Sequence, residues 1–212
     1  MTVKHLPIIK NADASGLHRN ADVENGADEF GSNKHKQRKA AVLIPLIKSA
    51  GQWQVLFIRR ASNERDRHSG QVAFPGGAYE HTDASAIDTA LRETKEEIGI
   101  SADRIKVISE LGPYYTISHY RVTPVVGIVQ WPSNLRLETT EVARAFLIPL
   151  NWLRNQENYT LRARNELDKK SAQRHPIIVF NEFDGETLWG ATARMTINFF
   201  KALDEKAFLL PR

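Results

Sequence analysis

The chain of 212 residues contains no cysteine. That absence removes disulfides, thiolate metal sites and cysteine nucleophiles, and it permits a reducing compartment. Nor is there an apolar run near the roughly eighteen residues that a membrane-spanning helix needs. The first forty residues lack the continuous apolar stretch of a secretory signal. A soluble, cytoplasmic protein is therefore expected. No internal repeat and no second folded domain are evident. Excess charge is small: the net charge is +4 and the pI near 9.3, which an anionic phosphate substrate or simple solubility explains as economically as a polyanionic partner. Nucleic acid is not an expected partner, and a homodimer is compatible with the sequence.

What is present is an ordinary globular composition, 42% apolar and 25% charged. Residues 1–39 read as a flexible arm, rich in Asn, Asp, Gly and Ser without sustained periodicity. The arm ends in a basic run, Lys34 to Lys39, that reads as a solvated linker or as a phosphate contact. Order is expected from Ala40. Ala41–Lys48 and Trp53–Arg60 read as a hairpin of long strands. Further strands are expected at Ile105–Leu111, Val122–Trp131, Val142–Leu150, Tyr159–Arg164 and Ile177–Phe183, with a turn at Asp184-Gly185 and a packing helix over Thr187–Leu203. Strands interleaved with two main helices predict one α/β domain over 40–212, a mixed sheet covered on both faces.

The stretch from Gly76 to Ile100 carries the chemistry. Placed on a helix, Asp83–Ile98 puts Ala84, Ile87, Leu91, Thr94 and Ile98 on one arc, with Glu93 and Glu97 one turn apart and Glu96 beside them. Three carboxylates on one edge repel each other unless a divalent cation sits there, although such runs also occur on solvated helices. Arg92, four residues before Glu96, can fix a glutamate rotamer. Asp83 and Ser85 are candidate N-caps, and Gly99 suits a left-handed C-terminal position. The Gly76-Gly77 pair lets backbone approach a metal or phosphate closely and offers a carbonyl oxygen as a hard ligand. Tyr114, Tyr115 and Tyr120 suit either stacking on a base or packing.

Gly76-Gly77 followed by Arg92-Glu93-Thr94-Lys95-Glu96-Glu97-Ile98-Gly99-Ile100 resembles the signature of the Nudix hydrolases, which cleave nucleoside diphosphates linked to another group. One residue more than the family's pattern separates Gly77 from Arg92, so Asp83 or Ala84 stands where the pattern has its first glutamate. The resemblance implies an α/β/α sandwich and Mg²⁺ or Mn²⁺ held by Glu93, Glu96, Glu97 and a carbonyl near Gly77. Arg92, Glu96 and Glu141 would be the catalytic side chains; Glu141, before an apolar strand, resembles the downstream glutamate that completes the metal shell or acts as base. Leu56-Phe57-Ile58-Arg59-Arg60-Ala61, Arg65, Gly70 and Phe74-Pro75-Gly76-Gly77 are similar to the accessory motif of coenzyme A pyrophosphatases in the family. One extra residue between Arg65 and Gly70 leaves Arg65 or Arg67 as the motif's arginine. Coenzyme A is thus the implied substrate, with Arg59, Arg60, Arg65 and Arg67 as phosphate partners. ADP-ribose, NADH and dinucleoside polyphosphates are the alternatives within the enzyme class, and a non-catalytic nucleotide-sensing module is the alternative outside it.

Overall fold

The structure, a computed structural model, describes residues 37–62, 69–131, 134–162 and 176–211. The expected arm lies outside the described residues except for its last three, and Arg38 and Lys39 already belong to the first strand. β1 (Arg38–Ser49) and β2 (Gln52–Arg60) are antiparallel, with Ser49 opposite Gln52. Ala50 and Gly51 both take positive φ in the two-residue turn between them, the geometry whose twist matches that of the flanking strands. The expected hairpin is present.

A mixed sheet grows around this hairpin. β3 (Val72–Ala73) and β8 (Val142–Pro149) pair antiparallel with β2, and β4 (Gly76–Ala78) pairs antiparallel with β1. β7 (Tyr120–Val129) runs parallel to β1, while β5 (Ile105–Glu110) and β6 (Tyr114–Tyr115) pair antiparallel with β7. β9 (Tyr159–Arg162) and β10 (Ile177–Phe180) form a separate two-stranded sheet.

Side chains alternate across the strands and so build two cores. Ala41, Leu43, Ile47, Leu56, Ile58 and Val125 pack with α1 (Ala86–Ile98) on one face. Ile44, Leu46, Val55, Phe57 and Val126 pack on the other face with α3 (Gly190–Asp204), and Leu153 of the short α2 (Leu150–Arg154) joins them. The layers are those of the expected α/β/α sandwich. No helix among the described residues is long and apolar enough to cross a membrane.

Two helices differ from their sequence-based outlines. α1 begins at Ala86 because Ser85, not Asp83, is its cap: the Ser85 hydroxyl accepts the Asp88 N–H at 3.2 Å. Its buried face is Ala86, Thr89, Ala90, Thr94, Glu97 and Ile98, while Ile87 and Leu91 are half-buried and Ala84 is exposed. The helix is therefore rotated so that a glutamate faces the sheet. α3 begins at Gly190 rather than Thr187, because the preceding residues are used as extended backbone. The Leu188 carbonyl accepts the Phe180 N–H at 2.8 Å, and Val179 bridges Trp189.

Candidate active site

Glu97 is 1% exposed and its carboxylate accepts the Gly76 N–H at 2.9 Å. Burial pushes its carboxyl up to about 8, helped by the charges of Glu93 and Glu141 and opposed by the Gly76 hydrogen bond and the Arg60 charge. Burial likewise raises Glu93. Glu93 lies against Gly77 so closely that a Cβ there would stand 2.4 Å from its Oε1, and a Cβ on Gly76 would stand 2.4 Å from the Ala41 carbonyl oxygen. The glycine pair thus acts as a spacer: it lets β4 lie against β1 and lets the helix carboxylate rest on the strand. In the fold the pair opens a short strand paired with β1.

Arg92 gathers the remaining groups. Its Nε and Nη2 donate to the two Asp83 oxygens at 3.0 and 2.9 Å, its Nη1 to Glu93 and Glu96 at 3.0 Å each, and its Nη2 also to the Ala78 carbonyl at 3.0 Å. The expected contact with Glu96 is there. The bidentate pair with Asp83 has no signal in the sequence, because its nine-residue separation crosses a turn and fits no helical spacing. Asp83 is only 4% exposed and also accepts the Glu80 N–H and the Thr89 hydroxyl. The guanidinium holds its carboxyl well below the usual range, and Asp83 in turn raises Arg92. Of the two residues that the spacing of the signature leaves at that position, Asp83 is the one that anchors Arg92.

Glu141 is brought to the same place by backbone. The Arg136 and Glu138 N–H groups donate to the Ile98 and Glu97 carbonyls at 3.0 and 2.9 Å, docking the segment before β8 on the end of α1. From there Glu141 acts electrostatically on both Glu93 and Glu97. Arg60 is on the α1 face and its charge reaches Glu97. Arg59, one residue earlier on β2, points to the other face and pairs with the buried Glu186 at 3.3 Å, which also accepts from Arg144 at 3.1 Å. Of the expected phosphate partners the fold therefore brings Arg60 to the carboxylates and turns Arg59 away. Arg65 and Arg67 lie outside the described residues. Tyr114 and Tyr120 pack against the α3-side core, so two of the three tyrosines are packing residues.

Among the described residues no group of three or more His, Asp or Glu side chains is arranged to hold a metal ion as it stands. Arg92 occupies the space between Glu93 and Glu96. The donor set nevertheless fits a hard cation: Glu97 is buried and Glu93 half-buried, the charge of Glu93 raises Glu97 and those of Glu96 and Glu141 raise Glu93, and the backbone of Gly76 and Gly77 lies in contact.

Residues 36–170 match the model of the NUDIX domain. An uncharacterized Nudix hydrolase NudL from Pectobacterium atrosepticum is 37% identical over 159 residues, covering 75% of this chain and 79% of its own. The protein of the same description from Yersinia pestis is 39% identical over 158 residues, 74% of this chain and 75% of its own. In fold the chain is similar to a Nudix hydrolase from M. smegmatis, RenU, with a TM-score of 0.54, 16% identity and coverage of 83% of this chain and 91% of that one. A MutT/nudix family protein from Enterococcus faecalis gives a TM-score of 0.52 at 17% identity, covering 92% and 75%. With the signature residues assembled on α1 and the domain matched over most of the chain, this protein belongs to the Nudix hydrolase family and is a pyrophosphohydrolase.

Proposed function

We propose that the chain hydrolyses the diphosphate of coenzyme A or its derivatives, giving 3′,5′-ADP and 4′-phosphopantetheine, with Mg²⁺ or Mn²⁺ as cofactor. The observation that supports this most is the anchoring of the arginine-bearing run between β2 and β3. The Arg60 N–H donates to the Gln71 carbonyl at 3.0 Å and the Ala61 N–H to that of Glu141 at 2.7 Å. Both ends of the run are thereby fixed beside the carboxylates.

Glu93, Glu96, Glu97 and a carbonyl of Gly76 or Gly77 would hold the ion, which when bound polarises a phosphoryl group and lowers the pKa of attacking water. Arg92, locked by Asp83, orients Glu93 and Glu96 and limits their rotamers. Glu141 accepts a proton from the attacking water through its carboxylate. Arg60, Arg65 and Arg67 balance the charge of the substrate phosphates, while Arg59, engaged by Glu186, shapes the strand end from which they leave.

The test is a substrate panel. Purified protein with Mg²⁺ or Mn²⁺ is incubated with coenzyme A, its oxidised form, ADP-ribose, NADH and a dinucleoside polyphosphate, and products are separated by chromatography. Coenzyme A or its oxidised form is expected to give the highest kcat/KM, with 3′,5′-ADP among the products. A higher kcat/KM for any of the other three contradicts the proposal.

A further inference from the structure

The sheet face under α1 carries a second row of side chains next to the candidate active site. The first row is Gly77, Ala41 and Thr123, aligned across β4, β1 and β7, and Gly77 is the residue on which Glu93 rests. Two residues further along these strands, roughly 7 Å at the usual rise, Lys39 lies opposite Arg121 and Arg121 opposite Tyr115. Tyr79 closes the row, its N–H donating to the Lys39 carbonyl at 3.0 Å. Alternation along the strands puts all four on the α1 face: Ala41 and Val125 belong to the core on that side and Tyr79 packs against it, whereas Tyr114, Tyr120 and Val122 point the other way.

The row therefore reads Tyr79, Lys39, Arg121, Tyr115: two adjacent cations between two aromatic rings. Lys39 Nζ stands 5.8 Å from the Tyr79 ring centre, and the Tyr79 hydroxyl bonds to Thr123 of the first row. Neither Lys39 nor Arg121 forms an ion pair among the described residues. Two carboxylates are near Tyr79. Asp83 is fully engaged by Arg92, and Glu110, at the end of β5, makes no ion pair with either cation. Like charges directly opposite each other on neighbouring strands are unfavourable without a counter-ion, so this row is arranged for an anion that none of the described residues supplies there.

We propose that Tyr79, Lys39, Arg121 and Tyr115 form the subsite for the phosphorylated nucleoside end of the substrate, the two cations taking the 3′-phosphate and a tyrosine ring taking the base. The inference rests on the coenzyme A reading and makes it more specific. In that substrate the 3′-phosphate and the 5′-diphosphate hang from one ribose, so the receptor for the former must lie within a sugar's span of the catalytic carboxylates. The row one strand repeat beyond Gly77 satisfies this. It also gives a role to the last residue of the basic run and to the one tyrosine of the connection that is not packed into the α3-side core. A phosphate dianion bound between an ammonium and a guanidinium makes charge-assisted hydrogen bonds, and a base stacks on the open side of a half-buried tyrosine ring.

Two measurements on the full chain test this. In the first, kcat/KM is measured for coenzyme A and 3′-dephospho-coenzyme A in wild type, Lys39→Ala, Arg121→Ala, the double variant, Arg65→Ala and Arg67→Ala. The preference for coenzyme A is expected to fall about ten- to a hundredfold in the double variant, with partial rescue by Lys39→Arg. An unchanged preference in the double variant, with collapse in Arg65→Ala or Arg67→Ala instead, overturns the assignment while leaving the coenzyme A reading intact. In the second, binding of 3′,5′-ADP and of 5′-AMP is measured calorimetrically. The double variant is expected to bind 3′,5′-ADP at least tenfold more weakly and to lose discrimination between the two ligands. Equal affinity of wild type and double variant for 3′,5′-ADP overturns the subsite even if coenzyme A proves not to be the substrate, and failure of wild type to cleave coenzyme A overturns the reading on which it rests.

Discussion

Residues carry opposite electrostatic burdens in this site. Glu97 is buried against a single backbone donor, and its raised carboxyl makes its ionised form costly in the metal-free protein. The sign follows from linkage: the folded state holds the proton up to about pH 8, whereas the unfolded chain releases it near pH 4.3. Stability should therefore fall as pH rises from about 4.5 towards 8, at roughly 1.4 kcal/mol for each unit of displacement. Urea titrations of metal-free wild type and Glu97→Gln between pH 5 and 8.5 should show the wild type losing a few kcal/mol relative to the variant. Parallel curves would mean that the carboxyl ionises freely in the fold. Arg92 is the converse case, a guanidinium satisfied by two carboxylate oxygens of nearly buried Asp83. Arg92→Ala leaves that carboxylate with only the Glu80 N–H and the Thr89 hydroxyl, and losing a charged, part-buried partner costs about 1.5–3 kcal/mol. Arg92→Lys should recover little, since an ammonium cannot reproduce the bidentate contact. Chemical denaturation of both variants checks this; a change below about 1 kcal/mol would make the Asp83 pair a surface contact in effect.

The elements that hold these residues were legible to different degrees. The β1–β2 hairpin and α1 were readable because long alternating runs and a capped, periodic helix are strong local signals. The face of α1 was read imperfectly, because apolar periodicity does not register a buried glutamate; Glu97 counts as polar in the sequence and as core in the fold. β4 carries no strand signal in the sequence, since three residues opening on two glycines hold no periodicity, and its pairing with β1 rests on close packing instead. Arg59 and Arg60 were read together as phosphate partners, although strand alternation sends them to opposite faces. The Glu186 that captures Arg59 lies over a hundred residues away and has no local signal. The glycine spacer makes a prediction at this scale. In Gly77→Ala the added methyl meets the Glu93 carboxylate, so either the side chain or the helix must shift, at a cost of about 1–3 kcal/mol. Turnover is expected to fall by more than this loss of stability explains, read as kcat at a temperature where the variant is fully folded. An unchanged kcat would show that Glu93 does not need its contact with β4.

At the scale of the molecule, the sheet divides the chain into a working side and a supporting side. α1, the segment that ends in Glu141, Arg60 and the row from Tyr79 to Tyr115 all belong to one face, and α3 with the β9–β10 sheet covers the other. The family and its layers could be inferred before the structure because the signature is local and dense. The placement of Asp83, Glu186 and the cross-strand row could not: Asp83 reaches Arg92 across a turn, Glu186 meets Arg59 from over a hundred residues away, and the row depends on register between strands distant in sequence. The measurement that tests the assigned chemistry most directly is steady-state hydrolysis of coenzyme A by wild type and Glu97→Gln at saturating Mg²⁺, with the fold of the variant verified by circular dichroism. A fall in kcat of about a hundredfold or more, several kcal/mol in barrier height, is predicted for the folded variant. A Glu97→Gln enzyme that turns over coenzyme A at the wild-type rate would contradict the assignment of these carboxylates as the metal-holding centre.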